Sequence, residues 1–162
     1  MAIDAPAIVI RAAPRDFSNW GRVRQLILDA FAYMEPRIDP PSSALRLTVP
    51  SMQADAGKGA LLLAERGGDI VGCVFVRPKD DALYIGKLAV RPDLQGNGIG
   101  AKLMEAVRRE ARARGIKTLE LETRIELFEN HAAFARMGFV KTAENSHAGF
   151  DRTTSIVMRA PV

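Results

Sequence analysis

The spacing of apolar side chains changes repeatedly along the chain, and each change predicts a switch between strand and helix. An apolar residue at every third or fourth position is typical of a helix, whereas alternating or short continuous apolar runs are typical of strands. On this basis the predicted strands are residues 8–12, 61–65, 70–76, 83–90, 118–123, 139–143 and 154–159. The predicted helices are residues 17–34, 42–49, 99–114 and 130–137. Asp16 or Ser18 is the expected cap of the first helix. Ser42 or Ser43 is the expected cap of the second, which should end near Pro50.

Glycines and polar turns indicate how these strands pair. Gly67-Gly68 readily adopts the positive φ angles of a tight hairpin, and Lys79-Asp80-Asp81 predicts a second turn, so three strands form an antiparallel meander. The strand at 118–123 follows a crossover helix and is therefore expected to pair in parallel. Gly86 predicts a β-bulge or a close approach to the backbone. The expected fold class is α/β (α+β), with a mixed, mainly antiparallel central sheet flanked by helices in one domain, residues 1–162.

Length and composition exclude several classes of protein. The chain has 162 residues, of which 48% are hydrophobic, and this is enough for a sizeable core. No apolar run is long enough to cross a membrane and the N-terminus lacks the features of a signal peptide, so a cytoplasmic protein is expected. The net charge of +4 suits an anionic ligand, but no nucleic-acid motif accompanies it, and nucleic-acid binding is not expected.

The single cysteine and the two histidines offer little chemistry. Cys73 lies in an apolar strand, where a buried structural thiol is favoured over a nucleophile. His131 and His147 lack metal-ligand spacing, so no metal site is expected. A solvent-facing position is the more common one for a loop histidine such as His147, although it could reach a site.

The segment Gln95-Gly96-Asn97-Gly98-Ile99-Gly100 joins a predicted strand to a predicted helix through three glycines. Glycines let the backbone approach an anion closely, and the helix that follows presents unpaired N–H groups and the positive end of its dipole. The sequence therefore predicts a site for a phosphorylated cofactor. An ordinary helix-entry turn is the simpler alternative, but it does not account for the order of elements around the glycines.

A dinucleotide-binding fold is the main rival, because Gly96 to Ala101 also satisfies GxGxxG/A and Glu120 or Glu122 follows about twenty residues later. In that fold, however, the first glycine follows the strand almost directly, whereas Arg91 to Gln95 forms a five-residue loop here. The predicted hairpins also disfavour repeated βαβ units. An NAD-dependent oxidoreductase is the less favoured alternative.

Two motifs, in this order of elements, carry a family resemblance. The first is QxxGxG, present as Gln95, Gly98 and Gly100, and the second is Asn130 eight residues before Gly138-Phe139. Over nearly its whole length the chain resembles the GCN5-related N-acetyltransferase (GNAT) family. The resemblance implies an acyl-coenzyme A N-acyltransferase fold, acetyl-coenzyme A as co-substrate and a primary amine, of a small molecule, as acceptor. Peptide or protein N-termini are alternative acceptors.

The resemblance also implies which residues bind acetyl-coenzyme A. Backbone N–H groups of the glycine turn would hold the pyrophosphate, and the end of the preceding strand would pair with the pantetheine arm and polarise the thioester carbonyl. The implied cofactor-binding residues are Leu88, Ala89, Val90, Gln95, Gly96, Asn97, Gly98, Ile99, Gly100, Ala101, Asn130 and Phe134. Asn130 has the alternative role of capping the late helix.

The catalytic residues are less well indicated. The family often has a tyrosine where this chain has Phe134, so an acid for the leaving thiolate must come from Tyr84, Tyr33, water or the acidity of the thiol itself. Glu122 is the predicted proton acceptor because it alternates away from the apolar positions of its strand, as does Glu120. Solvated charges on a half-buried strand are the alternative interpretation of both.

Acceptor binding is expected at the first two helices and the proline-rich segment 35–41. In this segment Arg37 is a candidate for a substrate carboxylate and Glu35 or Asp39 for an ammonium group. A surface loop with solvated charges is the alternative. The absence of an unambiguous base leaves a non-catalytic acyl-coenzyme A binding module as the second functional hypothesis. The only ground for expecting a homodimer is that symmetric assembly is common among soluble proteins.

Overall fold

The computed structural model describes residues 6–162, and the N-terminal residues from which no signal peptide was expected lie almost entirely outside this range. Seven strands are present: β1 (Ile8–Ala12), β2 (Ala60–Arg66), β3 (Asp69–Lys79), β4 (Ala82–Val90), β5 (Thr118–Arg124), β6 (Val140–Asn145) and β7 (Ser155–Pro161). Four α-helices accompany them: α1 (Trp20–Phe31), α2 (Val49–Gly57), α3 (Ile99–Ala113) and α4 (Phe128–Arg136). Short 3-10 helices occupy Ala32–Met34, Ser43–Arg46 and Pro92–Leu94.

The second helix was predicted in the wrong place. Only a short 3-10 helix forms at 43–46, where Ser42 accepts a hydrogen bond at its N-terminus. α2 begins later, under a capping box in which the side chains of Thr48 and Ser51 each accept from the other's backbone N–H. Pro50 therefore lies in the first turn of α2, where its missing N–H costs no helical hydrogen bond. The expected helix end near Pro50 is instead the start of α2.

The ends of two other helices also differ from the prediction. α1 begins at Trp20 after Asn19, so neither Asp16 nor Ser18 caps it, and its last predicted turn is the 3-10 helix Ala32–Met34. α4 begins at Phe128, two residues earlier than predicted, and Asn130 is its third residue. The alternative that Asn130 caps this helix is therefore wrong.

The sheet has the predicted mixed and mainly antiparallel character. Its strand order is β1-β2-β3-β4-β5-β7-β6, and β4 with β5 is the parallel pair among the described strands. The β2–β3–β4 meander forms as expected, with residues 67 and 68 at the first turn. The bulge expected at Gly86 is present, because Cys73 faces Ala89 whereas Phe75 faces Gly86, which leaves one extra residue in β4. Lys87, inside this bulge, has a φ of 50°.

Two apolar layers cover the two faces of the sheet. α3 packs on one face, against side chains that include Val71, Leu83 and Leu119. α1 and α2 pack on the other face, around Phe75 and Cys73. Burial raises the pKa of the Cys73 thiol to about 12, which is consistent with a structural role.

One glycine sets how closely α3 approaches the sheet. A Cβ atom at Gly72 would lie 3.1 Å from Leu103 Cδ1 and 3.2 Å from Ile99 Cγ2. The absence of a side chain at this position therefore brings the N-terminal half of α3 against β3, next to the end of β4. Within residues 6–162, the helices all fall short of the length and apolar character that a membrane crossing requires.

Candidate functional site

The parallel pair of strands separates at the centre of the sheet. β4 and β5 are paired from Ala82 and Thr118 as far as Ile85 and Leu121, and not beyond. Past this point β4 continues beside β3 and β5 continues beside β7. The facing edges of residues 86–90 and 122–124 therefore present backbone groups that no neighbouring strand uses, and an extended ligand can pair with them.

A cavity of about 370 Å³ opens where the two strands separate. Its walls include residues from both strand ends, among them Lys87, Leu88, Glu122 and Arg124, with contributions from α2, α4 and the β6–β7 loop. Five charged side chains line it, namely Asp55, Arg77, Lys87, Glu122 and Arg124. Among the described residues, no cluster of three or more His, Cys, Asp or Glu side chains has the geometry of a metal site.

The glycine turn lies between β4 and α3 and has the features of an anion site. Gly96 and Gly98 adopt φ angles of 83° and 82°. Gly98 is the N-cap of α3, and because it has no side chain, no capping side chain bonds to the first N–H groups of the helix. A Cβ atom at either glycine would meet nothing within 4 Å, so the space beside the backbone is open. The side chain of Gln95 donates to the Val90 carbonyl over 3.1 Å and ties the turn to β4. The first N–H groups of α3 are thus available to an anion.

The carboxylate of Glu122 is held in one orientation at the cavity wall. Its Oε1 atom accepts from Ser155 Oγ over 2.6 Å and from Asn145 Nδ2 over 2.9 Å. Neither of these bonds uses Oε2. The neighbouring Glu120 is different, because it is bound by Arg159 and Lys79 and does not line the cavity.

Residues 20–139 match the family model described as the acetyltransferase (GNAT) family. The chain belongs to this family. It is 28% identical over 151 residues to the aminoglycoside N(6')-acetyltransferase type 1 of Stenotrophomonas maltophilia. The aligned region covers 88% of this chain and 91% of that protein. It is 31% identical over 103 residues to the IAA acetyltransferase of Azospirillum brasilense, with 62% and 67% of the two chains covered.

A solved structure agrees with this assignment at the level of the fold. The GNAT family acetyltransferase from Elizabethkingia anophelis with acetyl-CoA bound is similar with a TM-score of 0.70 and 22% identity, over 96% of this chain and 98% of that chain. The predicted GNAT-like fold and the N-acetyltransferase class are confirmed. The dinucleotide-binding alternative was wrong, because the described strands contain one parallel pair in a mainly antiparallel sheet, which is not a series of βαβ units.

The cofactor-binding residues predicted from the GNAT resemblance fall into two groups in the structure. Gln95, Gly96, Asn97, Gly98, Ile99, Gly100 and Ala101 form the turn and the start of α3. Leu88, Asn130 and Phe134 line the cavity, whereas Ala89 is buried on the α1 side and Val90 lies at the end of β4. Residues 88–90 connect the two groups, because β4 ends at Val90 and the glycine turn follows shortly after it in the chain.

Phe134 and Asn130 lie on α4 and face the cavity. Phe134 packs edge-to-face against Phe139, with ring centroids 5.9 Å apart, and forms part of the α4 side of the cavity wall. Its ring has no acidic proton to donate. Asn130 Nδ2 donates to the Tyr33 hydroxyl over 3.3 Å, and Tyr33 itself is not part of the cavity wall.

Tyr84 lines the cavity and is held as a neutral phenol. Burial is the main reason that its pKa is raised to about 12, and the charge of Glu122 acts in the same direction. The Arg77 guanidinium and the Lys79 ammonium each lie 4.9 Å from the centre of its ring.

The predicted acceptor residues Glu35 and Arg37 lie outside the cavity wall. Arg37 forms an ion pair with Glu129 of α4, and this contact lowers the pKa of the Glu129 carboxyl to about 2. The backbone N–H of Asp39 donates to Glu126 over 3.0 Å. The segment 35–41 is thus fastened to the start of α4 and shapes the site from outside.

The sequence favoured a solvent-facing position for His147, but this residue lines the cavity, with its backbone N–H and its Nδ1 atom both bonded to Thr154 Oγ1. Its pKa is lowered, mainly by burial, so the imidazole is neutral near pH 7. Sequence reasoning missed several other residues of the site. Ser155 and Asn145 position Glu122, and Lys87 and Arg124 supply positive charge. The positive φ of Lys87 at a bulge has no signal in the sequence.

Proposed function

We propose that this GNAT enzyme transfers an acetyl group from acetyl-coenzyme A to a primary amine of a small molecule. The main support is the position of the cavity, which opens at the separated ends of β4 and β5 and holds an oriented carboxylate. A volume of about 370 Å³ is within the range of small-molecule sites. The acetyl-CoA complex of the Elizabethkingia relative supports the same donor for this fold.

The donor binds along the unpaired edge of β4 and at the start of α3. The N–H groups of Gly96, Gly98, Gly100 and Ala101 bind the pyrophosphate, since the helix dipole and the open backbone favour negative charge there. The pantetheine arm pairs with the β4 edge at residues 88–90, as an added strand would. An amide of this edge, at the β4 bulge, polarises the thioester carbonyl.

The reaction is a direct attack of a neutral amine on the thioester carbon. The C–N bond forms as the C–S bond breaks, and the thiolate of coenzyme A leaves with the electron pair. Glu122 accepts the amine proton through Oε2, because Oε1 is already bound by Ser155 and Asn145. This fixed orientation reduces the entropy that proton transfer would otherwise cost.

Tyr84 serves as a hydrogen-bond donor rather than as a full proton donor. Its pKa of about 12 exceeds the roughly 8.5 of a free thiol, so complete transfer of its proton to the thiolate is unfavourable. A neutral phenol still stabilises developing negative charge on sulfur or oxygen. The thiolate then takes its proton from water, which is consistent with Phe134 in the position where the family often has a tyrosine.

Two measurements test this proposal. Calorimetric titration with acetyl-coenzyme A should show binding at one site per chain, and no binding would contradict the donor assignment. Thiol release is then followed with a panel of primary amines, and turnover with at least one small amine is expected. Donor binding without turnover in any mixture would favour the non-catalytic acyl-coenzyme A binding module.

A further inference from the structure

Two cations in the cavity wall have no carboxylate partner. Lys87 and Arg124 both line the cavity, and neither takes part in any ion pair among residues 6–162. Asp55 and Arg77, which also line the cavity, form an ion pair with each other. Positive charge that is partly removed from water without a counter-ion is costly, so these side chains call for an explanation.

The β4 bulge directs Lys87 toward the 3-10 helix at 43–46. Its Nζ atom donates over 2.6 Å to Ser43 Oγ, which is a neutral hydroxyl and not a carboxylate. Burial lowers the pKa of this ammonium group, and the nearby positive charges of Arg124 and Arg46 add to the effect. Lys87 is therefore a strong donor with unused hydrogen-bonding capacity.

Arg124 lies at the end of β5, across the opening from Lys87. Its Nη2 atom donates to the Pro41 carbonyl over 3.0 Å, whereas Nη1 is buried and has no partner in the described chain. Burial lowers the pKa of this guanidinium as well. The charges of Glu126, Asp39 and Glu122 act in the opposite direction on this pKa, but none of these carboxylates forms an ion pair with Arg124 among the described residues.

The other charged groups of the cavity do not neutralise this pair. Asp55 Oδ1 lies 4.0 Å from Arg77 Nε, although the charge of Asp55 also raises the pKa of Lys87. The carboxylate of Glu122 accepts hydrogen bonds from Ser155 and Asn145. The donor phosphates bind at the glycine turn, which is not part of the cavity wall. The two cations are therefore available to the acceptor.

We propose that the acceptor carries an oxyanion, a carboxylate or a phosphonate, in addition to its amine, and that Lys87 binds this group in the positive field of Arg124. This inference rests on the proposed function, because it concerns the acceptor half of the same cavity. Glu122 and Arg124 are two positions apart on one face of β5, which places their Cα atoms about 7 Å apart. An amine and an oxyanion separated by a few bonds span this distance.

Pairs of acceptors that differ only in the anionic group test the inference on the unmodified protein. 3-Aminopropionate is compared with 3-aminopropionamide, and 2-aminoethylphosphonate with its dimethyl ester, at saturating acetyl-coenzyme A. We expect kcat/KM to be at least about tenfold higher for the anionic member of one pair. The pair with the larger ratio identifies a carboxylate or a phosphonate as the natural group.

Substitutions then assign the effect to the two cations. Lys87→Gln and Arg124→Gln should each raise KM for the anionic acceptor by about ten- to one-hundredfold and leave KM for its uncharged analogue nearly unchanged. Lys58→Gln is the matched control, because it removes the same charge from an exposed position just after α2. Arg124→Lys should retain part of the preference for the anion.

The outcomes separate this inference from the proposed function. Equal kcat/KM for both members of each pair, or equal losses for both in Lys87→Gln, would overturn the oxyanion site while leaving the acetyltransferase intact. If acetyl-coenzyme A does not bind at all, the proposed function itself fails. Should a variant not fold, the comparison of analogues on the unmodified protein still decides.

Discussion

Glu122 differs from Glu120 in its partners, although the two carboxylates share one face of β5. Glu120 forms ion pairs with two cations of other strands, Arg159 and Lys79, which neutralise its charge. Glu122 is bound by two neutral donors, which fix its direction without neutralising it. A fixed but unneutralised carboxylate is suited to accept a proton.

We therefore expect Glu122→Gln to lower kcat about a hundredfold or more, because an amide accepts no proton from the attacking amine. Affinity for acetyl-coenzyme A should be nearly unchanged, as measured by calorimetry beside steady-state kinetics. Glu120→Gln is the matched control and should leave kcat within a few-fold of the starting value. Full activity of Glu122→Gln would remove this residue from the mechanism.

Tyr84→Phe should have a smaller effect, below about tenfold in kcat, because only a hydrogen bond to developing charge is lost. Since the pKa of Tyr84 is raised to about 12, the phenol stays protonated through the usual assay range. The alkaline limb of a kcat profile between pH 7 and 10 should therefore be the same in both proteins. A limb that disappears in the variant would show that Tyr84 titrates during turnover.

At the scale of elements, the glycine turn and α3 act as one unit. Gly72 lets α3 lie close against β3, and this packing sets the position of the helix N-terminus beside the β4 edge. Ile99 and Leu103 are almost completely buried in that contact. The anion site is therefore supported by the core rather than by the turn alone.

Gly98→Asp should abolish or strongly weaken acetyl-coenzyme A binding, because it puts a carboxylate beside the phosphates at the N-terminus of α3. Gly115→Asp is a suitable control, since Gly115 also has a positive φ, of 70°, but follows the other end of the same helix. Calorimetry should give a near-normal dissociation constant for this control. Equal binding by both variants would place the phosphates elsewhere.

At the scale of the whole molecule, long-range contacts hold the acceptor side of the cavity together. The segment 35–41 is joined to the start of α4 through Arg37 and Glu129, and to the β6–β7 loop through Arg152 and Asp39. Arg124 adds a bond to the same segment at Pro41. These contacts connect parts of the chain that are more than 80 positions apart.

The Arg37–Glu129 pair predicts a specific dependence of stability on pH. The folded pKa of Glu129, about 2, lies below its ordinary value of 4.5, so the pair stabilises the fold above pH 4.5 and loses this effect as the pH falls toward 2. Glu129→Gln should therefore have a lower Tm than the unmodified protein at pH 7, and the difference should shrink at pH 4 and pH 3.

Thermal unfolding followed by circular dichroism measures both proteins at each pH. Glu105→Gln serves as the control, because it removes an exposed carboxylate from α3 that has no ion-pair partner among the described residues. A Tm difference for Glu129→Gln that does not change between pH 7 and pH 3 would contradict the ion-pair explanation.

The sequence by itself determined the order of nearly all elements, the mixed sheet and the glycine turn. These features depend on local rules: the apolar period distinguishes helix from strand, and glycine marks positions of positive φ. Where local signals competed, the prediction failed, as at Pro50, which is equally compatible with the end of one helix and the first turn of the next.

Only the tertiary structure decided which side chains share the cavity. The separation of β4 from β5, the direction of the Lys87 side chain, and the approach of His147 and Ser155 to Glu122 depend on the packing of strands that are far apart in the sequence. The same holds for Arg37, whose charge is taken by Glu129 rather than left for a ligand. Such choices follow from packing and charge neutralisation across the whole chain, for which the spacing of residues along the sequence contains no local signal.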